Sequence, residues 1–113
     1  MKKIMAGTGE RVLKIREALG LTQAQFAAMI GLKTGKSISR IECGETKLTS
    51  TNAEAICAKF FVNKEFLLEG KGQMFSEDLL HKSIKRKLNK LTPQKLKITE
   101  KFIDCMLELD ENQ

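Results

Sequence analysis

At 113 residues, 42% of them hydrophobic, the chain holds one ordinary domain with room for a short appendage and is too apolar for wholesale disorder. Trp and Tyr are absent, strand formers are sparse and the single proline is Pro93, a composition that favours an all-helical protein. The net charge is +6, and no apolar run is long enough for a membrane span or a signal peptide, so a cytoplasmic protein without membrane partners is expected.

The positive charge is unevenly spread. Residues 1–75 carry twelve Lys and Arg against seven Asp and Glu, whereas residues 76–113 carry eight against seven. A polyanion-binding surface requires such an excess, although solubility alone also accounts for a charge of this size. The three cysteines, Cys43, Cys57 and Cys105, are odd in number and widely spaced, which suggests neither a disulfide framework nor a zinc site. No metal or cofactor is expected. With one histidine, no paired carboxylates on a matched face and no nucleophile elbow, the chain holds no catalytic constellation.

The periodicity predicts a first helix from about Thr8 or Gly9 to Leu19, with Val12, Ile15 and Leu19 on one buried face and Gly20 as its stop. Thr22 opens the second helix, and Gln25 completes a capping box. Leu21 and Phe26 are spaced for a hydrophobic staple across that cap, and the helix runs from Gln23 to Ile30 before stopping at Gly31. Thr34 can cap a third helix whose Ile38 and Ile41 point inward and which ends at Gly44. A fourth starts near Thr49 or Ser50, with Ala53, Ile56, Cys57 and Phe60 inside. Asn63 announces a short fifth helix carrying Phe66 and Leu67, and Gly70 and Gly72 mark a loop. From Glu77 to Leu91 the chain is rich in lysine, with Leu80, Ile84 and Leu88 in a stripe. Thr92 and Pro93 then start a last helix that runs to about Leu109, with Leu96, Phe102, Ile103 and Met106 available for burial.

The second and third helices are short and joined by a tight turn. Ala27 is small where they would cross, and Gly31 suits a sharp turn with positive φ. Phe26, Ile30, Leu32, Ile38 and Ile41 would form their shared core. The outer face of the third helix offers Lys36, Ser37, Ser39 and Arg40, donors and short polar groups suited to base edges and phosphates.

Residues 8–75 resemble the lambda-repressor-like (Cro-type) helix-turn-helix family of phage and bacterial transcriptional regulators. The matching residues are Arg11-Val12, Arg16, Gly20 to Gln23, Phe26-Ala27, Ile30-Gly31, Ile38 to Glu42 and Gly44, with Val62 to Leu68 and Gly70 to Gly72 like the family's closing helix and loop. The set is specific because many positions agree at once. The resemblance implies an all-α, five-helix DNA-binding domain and a homodimer on a double-stranded DNA operator. It implies that Gln23 contacts a phosphate and helps orient the reading helix. Lys36, Ser37 and Arg40 would be the main base readers with Thr34, Gly35 and Ser39 nearby, and Thr46 and Lys47 would meet the backbone. Arg16 and Glu42 match a family ion pair that bridges the first and third helices; pairing of Glu42 with Lys14 is the alternative. The chain departs from the family at one point. The path from Gly31 to Ile38 is one residue longer, and the extra residue falls within Leu32-Lys33-Thr34, so that Thr34 remains the cap. Gly35, at the front of the reading helix, gives no side chain to a base.

Each of these positions also has a plain structural explanation. Lys36 and Arg40 could be a solvated face and Gln23 an ordinary exposed helix residue. Cys43 lies beside the reading helix, where redox sensing is conceivable, but no second cysteine is near in sequence. His81 is expected to be exposed. The Lys82 to Lys90 cluster reads as a solvated helix face or a contact to DNA backbone. The expectation is therefore a sequence-specific regulator, a repressor by preference, with residues 76–113 as a helical dimerisation or oligomerisation extension. Two rivals stand beside it: an antitoxin whose tail binds a toxin, and an adaptor that kept the fold without DNA binding. A toxin or an antirepressor would be the protein partner.

Overall fold

The computed structural model describes the backbone of residues 2–111 and the side chains of residues 7–110. The described residues form seven helices: α1 (Lys2–Leu19), α2 (Gln23–Met29), α3 (Gly35–Glu42), α4 (Ser50–Phe60), α5 (Lys64–Glu69), α6 (Glu77–Leu88) and α7 (Pro93–Glu111). One isolated antiparallel bridge, Val62 to Phe75, is the only β pairing among them. The fold is all-α, and the chain divides into two compact units between Glu77 and Asp78.

The first helix begins earlier than Thr8. Lys2, Lys3, Met5 and Ala6 have high intrinsic helix propensity, and the helix continues through Gly7 and Gly9 instead of starting there. Gly9 is retained for space. It is buried, and the carbonyl oxygens of Ile41 and Glu42 occupy the region its Cβ would fill, so α1 lies against the end of α3 at backbone distance. The remaining caps follow the local chemistry. Thr22 and Gln25 form a reciprocal capping box, with Gln25 N–H donating to Thr22 Oγ1 at 3.1 Å and Thr22 N–H to Gln25 Oε1 at 2.9 Å. Thr49 Oγ1 and Asn63 Oδ1 accept from the first turns of α4 and α5. Thr34 is the exception: it holds the N-cap position of α3 in extended backbone, but its side chain makes no capping hydrogen bond.

The core of the first unit draws on all five of its helices. Val12, Ile15, Phe26, Ile38, Ile56 and Leu67 are fully buried around Ala27 and Ala53. Phe26 of α2 stacks on Phe60 of α4 with ring centroids 4.9 Å apart. Ile30, Leu32 and Cys57 are only partly buried and pack on the outside of this cluster. Arg11 fastens α1 to the end of α5: its Nε donates to the Leu67 carbonyl at 2.8 Å and its Nη2 to that of Leu68 at 3.1 Å. Those are the orphan acceptors of a helix C-terminus, where a cation is also favoured by the helix dipole.

In the second unit Thr92 caps α7, accepting from Lys95 N–H at 3.3 Å, with Pro93 at the first helical position. Leu96, Phe102, Ile103 and Met106, the side chains available for burial, lie at the surface of the single chain. These side chains remain 38%, 68%, 42% and 56% exposed. Ile84 of the α6 stripe is 50% exposed. The periodicity made both helices amphipathic, and among the described residues Leu80 and Leu88 of α6 are partly buried while the apolar side of α7 stays exposed. No described helix is long and apolar enough to cross a membrane.

Candidate nucleic-acid interface

The candidate interface rests on how α2 hands over to α3. Gly31 takes φ +85°, and its N–H and that of Leu32 donate back to the carbonyls of Ala28 and Ala27 at 3.2 and 2.8 Å. This doubly bonded ending satisfies the last acceptors of α2 and turns the chain, and a side chain at Gly31 would be strained there. Residues Leu32 to Thr34 form the connection, so the additional residue lies in the turn and α3 starts at Gly35. Gly35 is half-buried against α2, and a Cβ on it would stand 2.9 Å from Ala24 N and 3.1 Å from the Gln23 carbonyl carbon. Its missing side chain lets the front of α3 lie on the start of α2. It serves helix packing, and no side-chain contact to a base can come from it.

Ile38 and Ile41 are buried beneath α3, which leaves Lys36, Ser39, Arg40 and Cys43 exposed along its outer side. Ser37 is half-buried. Thr34 is exposed just ahead of the helix, and Thr46 and Lys47 are exposed in the segment that leads to α4. Lys36, Arg40 and Lys47 take part in no ion pair among the described residues, so their charge is available to an external anion. Two further residues join this surface. Exposed Lys33 sits in the lengthened turn, and Cys43 continues the line of Lys36 and Arg40 one turn on. The i, i+4, i+7 spacing of Lys36, Arg40 and Cys43 was the available signal for the latter.

The far end of α3 is clamped by a hydrogen-bonded carboxylate. Glu42, its side chain 7% exposed, accepts from Arg16 Nε at 2.7 Å and Arg16 Nη2 at 3.1 Å, in bidentate geometry. Gln23 Nε2 donates to the same carboxylate at 2.9 Å, and Arg16 Nη1 donates to the Leu21 carbonyl at 3.0 Å. Four groups from α1, the α2 entry and α3 are thus joined, and Lys14 takes no part. The Glu42 hydrogen bond holds the Arg16 guanidinium above its ordinary pKa, outweighing the opposing effect of burial. The Gln23 side chain, expected at a phosphate, is held by Glu42 through its amide nitrogen. It therefore ties the reading helix to the scaffold helix directly.

Residues 12–67 match the model of the helix-turn-helix family, of Cro/C1 type. Among solved structures, the fold is similar to that of a transcriptional regulator from Listeria innocua, with a TM-score of 0.50 at 20% identity, over 90% of this chain and 94% of that one. No curated protein matches the chain. Over residues 12–67, which carry α2, α3 and the clamp between them, the chain belongs to the Cro/C1-type helix-turn-helix family, the DNA-binding module of transcription regulators.

Proposed function

We propose that the protein is a sequence-specific repressor that binds operator DNA as a homodimer and reads the major groove with α3. The observation that carries this reading is the exposed, unpaired cationic side of α3, held rigidly at both ends by Gly35 packing and the Arg16–Glu42–Gln23 clamp. Lys36, Ser39 and Arg40 face outward to reach base edges, with Thr34 and Ser37 at the margin of that surface. Gly35 brings the backbone close. Thr46 and Lys47 meet phosphates beside the groove, and Gln23 has its amide oxygen left to orient toward a phosphate or its bound water. Residues 76–113 hold two such domains on half-sites about one helical turn apart, and occupation of the operator blocks transcription.

Selection of bound sites from a random DNA pool tests the whole reading: it should return a pseudo-palindrome. On that site Arg40→Ala should cost ~1–3 kcal/mol and relax preference at one base pair, while Lys47→Ala should weaken all sequences alike and lower the salt slope by ~1. Unchanged affinity and specificity in Arg40→Ala would remove α3 from the reading role.

A further inference from the structure

The charge of the second unit is segregated, and its small net value hides this. From Leu79 to Thr99 there are seven Lys and Arg and no Asp or Glu, an excess larger than the net +6 of the whole chain. Glu77 and Asp78 precede this stretch, and five of the six charged residues that follow it are acidic. The stretch covers most of α6, the turn after it and the start of α7. All seven cations are exposed. Among the described residues only Lys97 of the seven has an ion-pair partner, Glu100 at 3.9 Å, and both of those side chains are largely exposed. On α6, Lys82, Lys85 and Arg86 at i, i+3 and i+4 share the side opposite buried Ser83 and half-buried Leu80 and Leu88.

Helix stabilisation accounts for only part of this charge. α6 opens with carboxylates and closes with Lys85, Arg86 and Lys87, the order that the helix dipole favours. Lys90 lies in the turn beyond α6, however, and Lys95 stands in the first turn of α7, which has no acidic residue and where the dipole disfavours a cation. Lys82 and Arg86 are like charges one helical turn apart, which repel each other. Such an arrangement weakens the helices of a lone chain and is relieved by a polyanion. Residues 12–67 belong to a DNA-binding module, and the cationic stretch begins at the second residue past the end of the first unit. A duplex held by the first unit is therefore at high effective concentration for the second. With six lysines, one arginine and no Phe, Tyr or Trp, the stretch offers point charges for phosphates and no platform on which unpaired bases could stack.

We propose that the cations of residues 79–99 make a second contact to DNA, with the phosphates of the duplex and without regard to base sequence. This rests on the DNA-binding reading above and adds sequence-independent affinity to the selectivity of α3. The test compares full-length chains across a series of salt concentrations. Lys82→Gln with Lys85→Gln and Arg86→Gln should leave melting unchanged, because these side chains are exposed and glutamine is a good helix former. The same variant should lower the salt slope for operator and for unrelated duplex alike by roughly 2 to 3, and weaken both at least ~10-fold at low salt. The sites it selects from a random DNA pool should match those of the parent chain. Lys59→Gln with Lys71→Gln and Lys101→Gln removes as much charge elsewhere and should change the slope by less than ~1. An unchanged slope in the first variant, or an equal fall in the second, overturns the second contact and leaves the regulator reading standing. If the first variant keeps its DNA slope but loses the parent's binding to vesicles of equal parts phosphatidylserine and phosphatidylcholine, the stretch serves a membrane surface and the proposal is overturned. A parent chain that binds no duplex overturns both readings.

Discussion

The two units of this chain spend similar apolar side chains in opposite ways. In the first, α1 to α5 enclose Val12, Ile15, Phe26, Ile38, Ile56 and Leu67 completely. In the second, Phe102 and Leu109 stand 68% and 63% exposed. Leucine, isoleucine and phenylalanine occur in both, at helical spacing in both. The difference lies in what faces them. α2 and α3 are short and turn back within a few residues, so each finds an apolar neighbour in the same chain. α7, the longest of the described helices, keeps its apolar side chains exposed. An apolar stripe therefore marks a core in one region and an exposed face in the other, and period alone does not distinguish the two.

The contrast predicts opposite responses to truncation. Ile38→Ala should cost about 3–4 kcal/mol of unfolding free energy in urea, because it empties a fully enclosed site. Phe102→Ala should change the stability of the isolated chain, measured at low protein concentration, by no more than about 0.5 kcal/mol. Comparable losses from both would mean that α7 is buried within one chain, and the contrast would fail. Glu42→Ala comes next, at about 3 kcal/mol, since it leaves the Arg16 guanidinium and the Gln23 amide without their carboxylate. Arg16→Met combined with Glu42→Leu should cost less than Glu42→Ala alone, because no unpaired charge remains. Gly35→Ala should cost ~1–3 kcal/mol, as its Cβ meets backbone of Ala24 and Gln23 that cannot swing aside. Gel shifts on the same variant should show weaker operator binding, because the front of α3 is displaced. If its melting and DNA affinity equal those of the parent chain, the close approach of α3 to α2 is not required.

Cysteine alkylation gives the smallest effect and addresses both units. Cys43 and Cys105 are exposed, whereas burial pushes the half-buried Cys57 thiol above its ordinary pKa. At neutral pH Cys57 should react more slowly than exposed Cys43, because its burial both limits access and disfavours the nucleophilic thiolate. The same shift fixes the sign of its pH dependence. Below the usual thiol range Cys57 is protonated in both folded and unfolded chains, and its contribution to stability is intact. As pH rises through that range the unfolded chain ionises first, and the contribution is lost. Cys105 should be modified quickly in dilute protein and slowly in concentrated protein, in step with dimerisation through residues 76–113. A Cys105 rate independent of concentration would count against dimerisation through that segment.

Much of the molecule follows from local rules that the residues carry with them. The capping box of Thr22 and Gln25, the Thr49, Asn63 and Thr92 caps and the stop at Gly31 all act within a few residues, so the helix order could be read directly. The inward positions of α1 to α4 followed from spacing, and the family resemblance pointed to the Arg16–Glu42 pair. Other features depend on atoms distant in the chain. The first helix was expected to begin near Thr8 or Gly9, whereas the residues before them are good helix formers and start it at Lys2. The need for glycine at positions 9 and 35 exists only because the ends of α3 lie against α1 and α2. The Gln23 amide could have gone to water or phosphate until α3 delivered Glu42 beside it. Arg11 matched the family pattern, but only the end of α5 gives its guanidinium two carbonyl acceptors. Short-range hydrogen bonds and helical period determine where the helices begin, stop and turn their apolar sides. Only packing between helices decides which backbones touch, which polar groups share a partner, and which apolar side stays exposed.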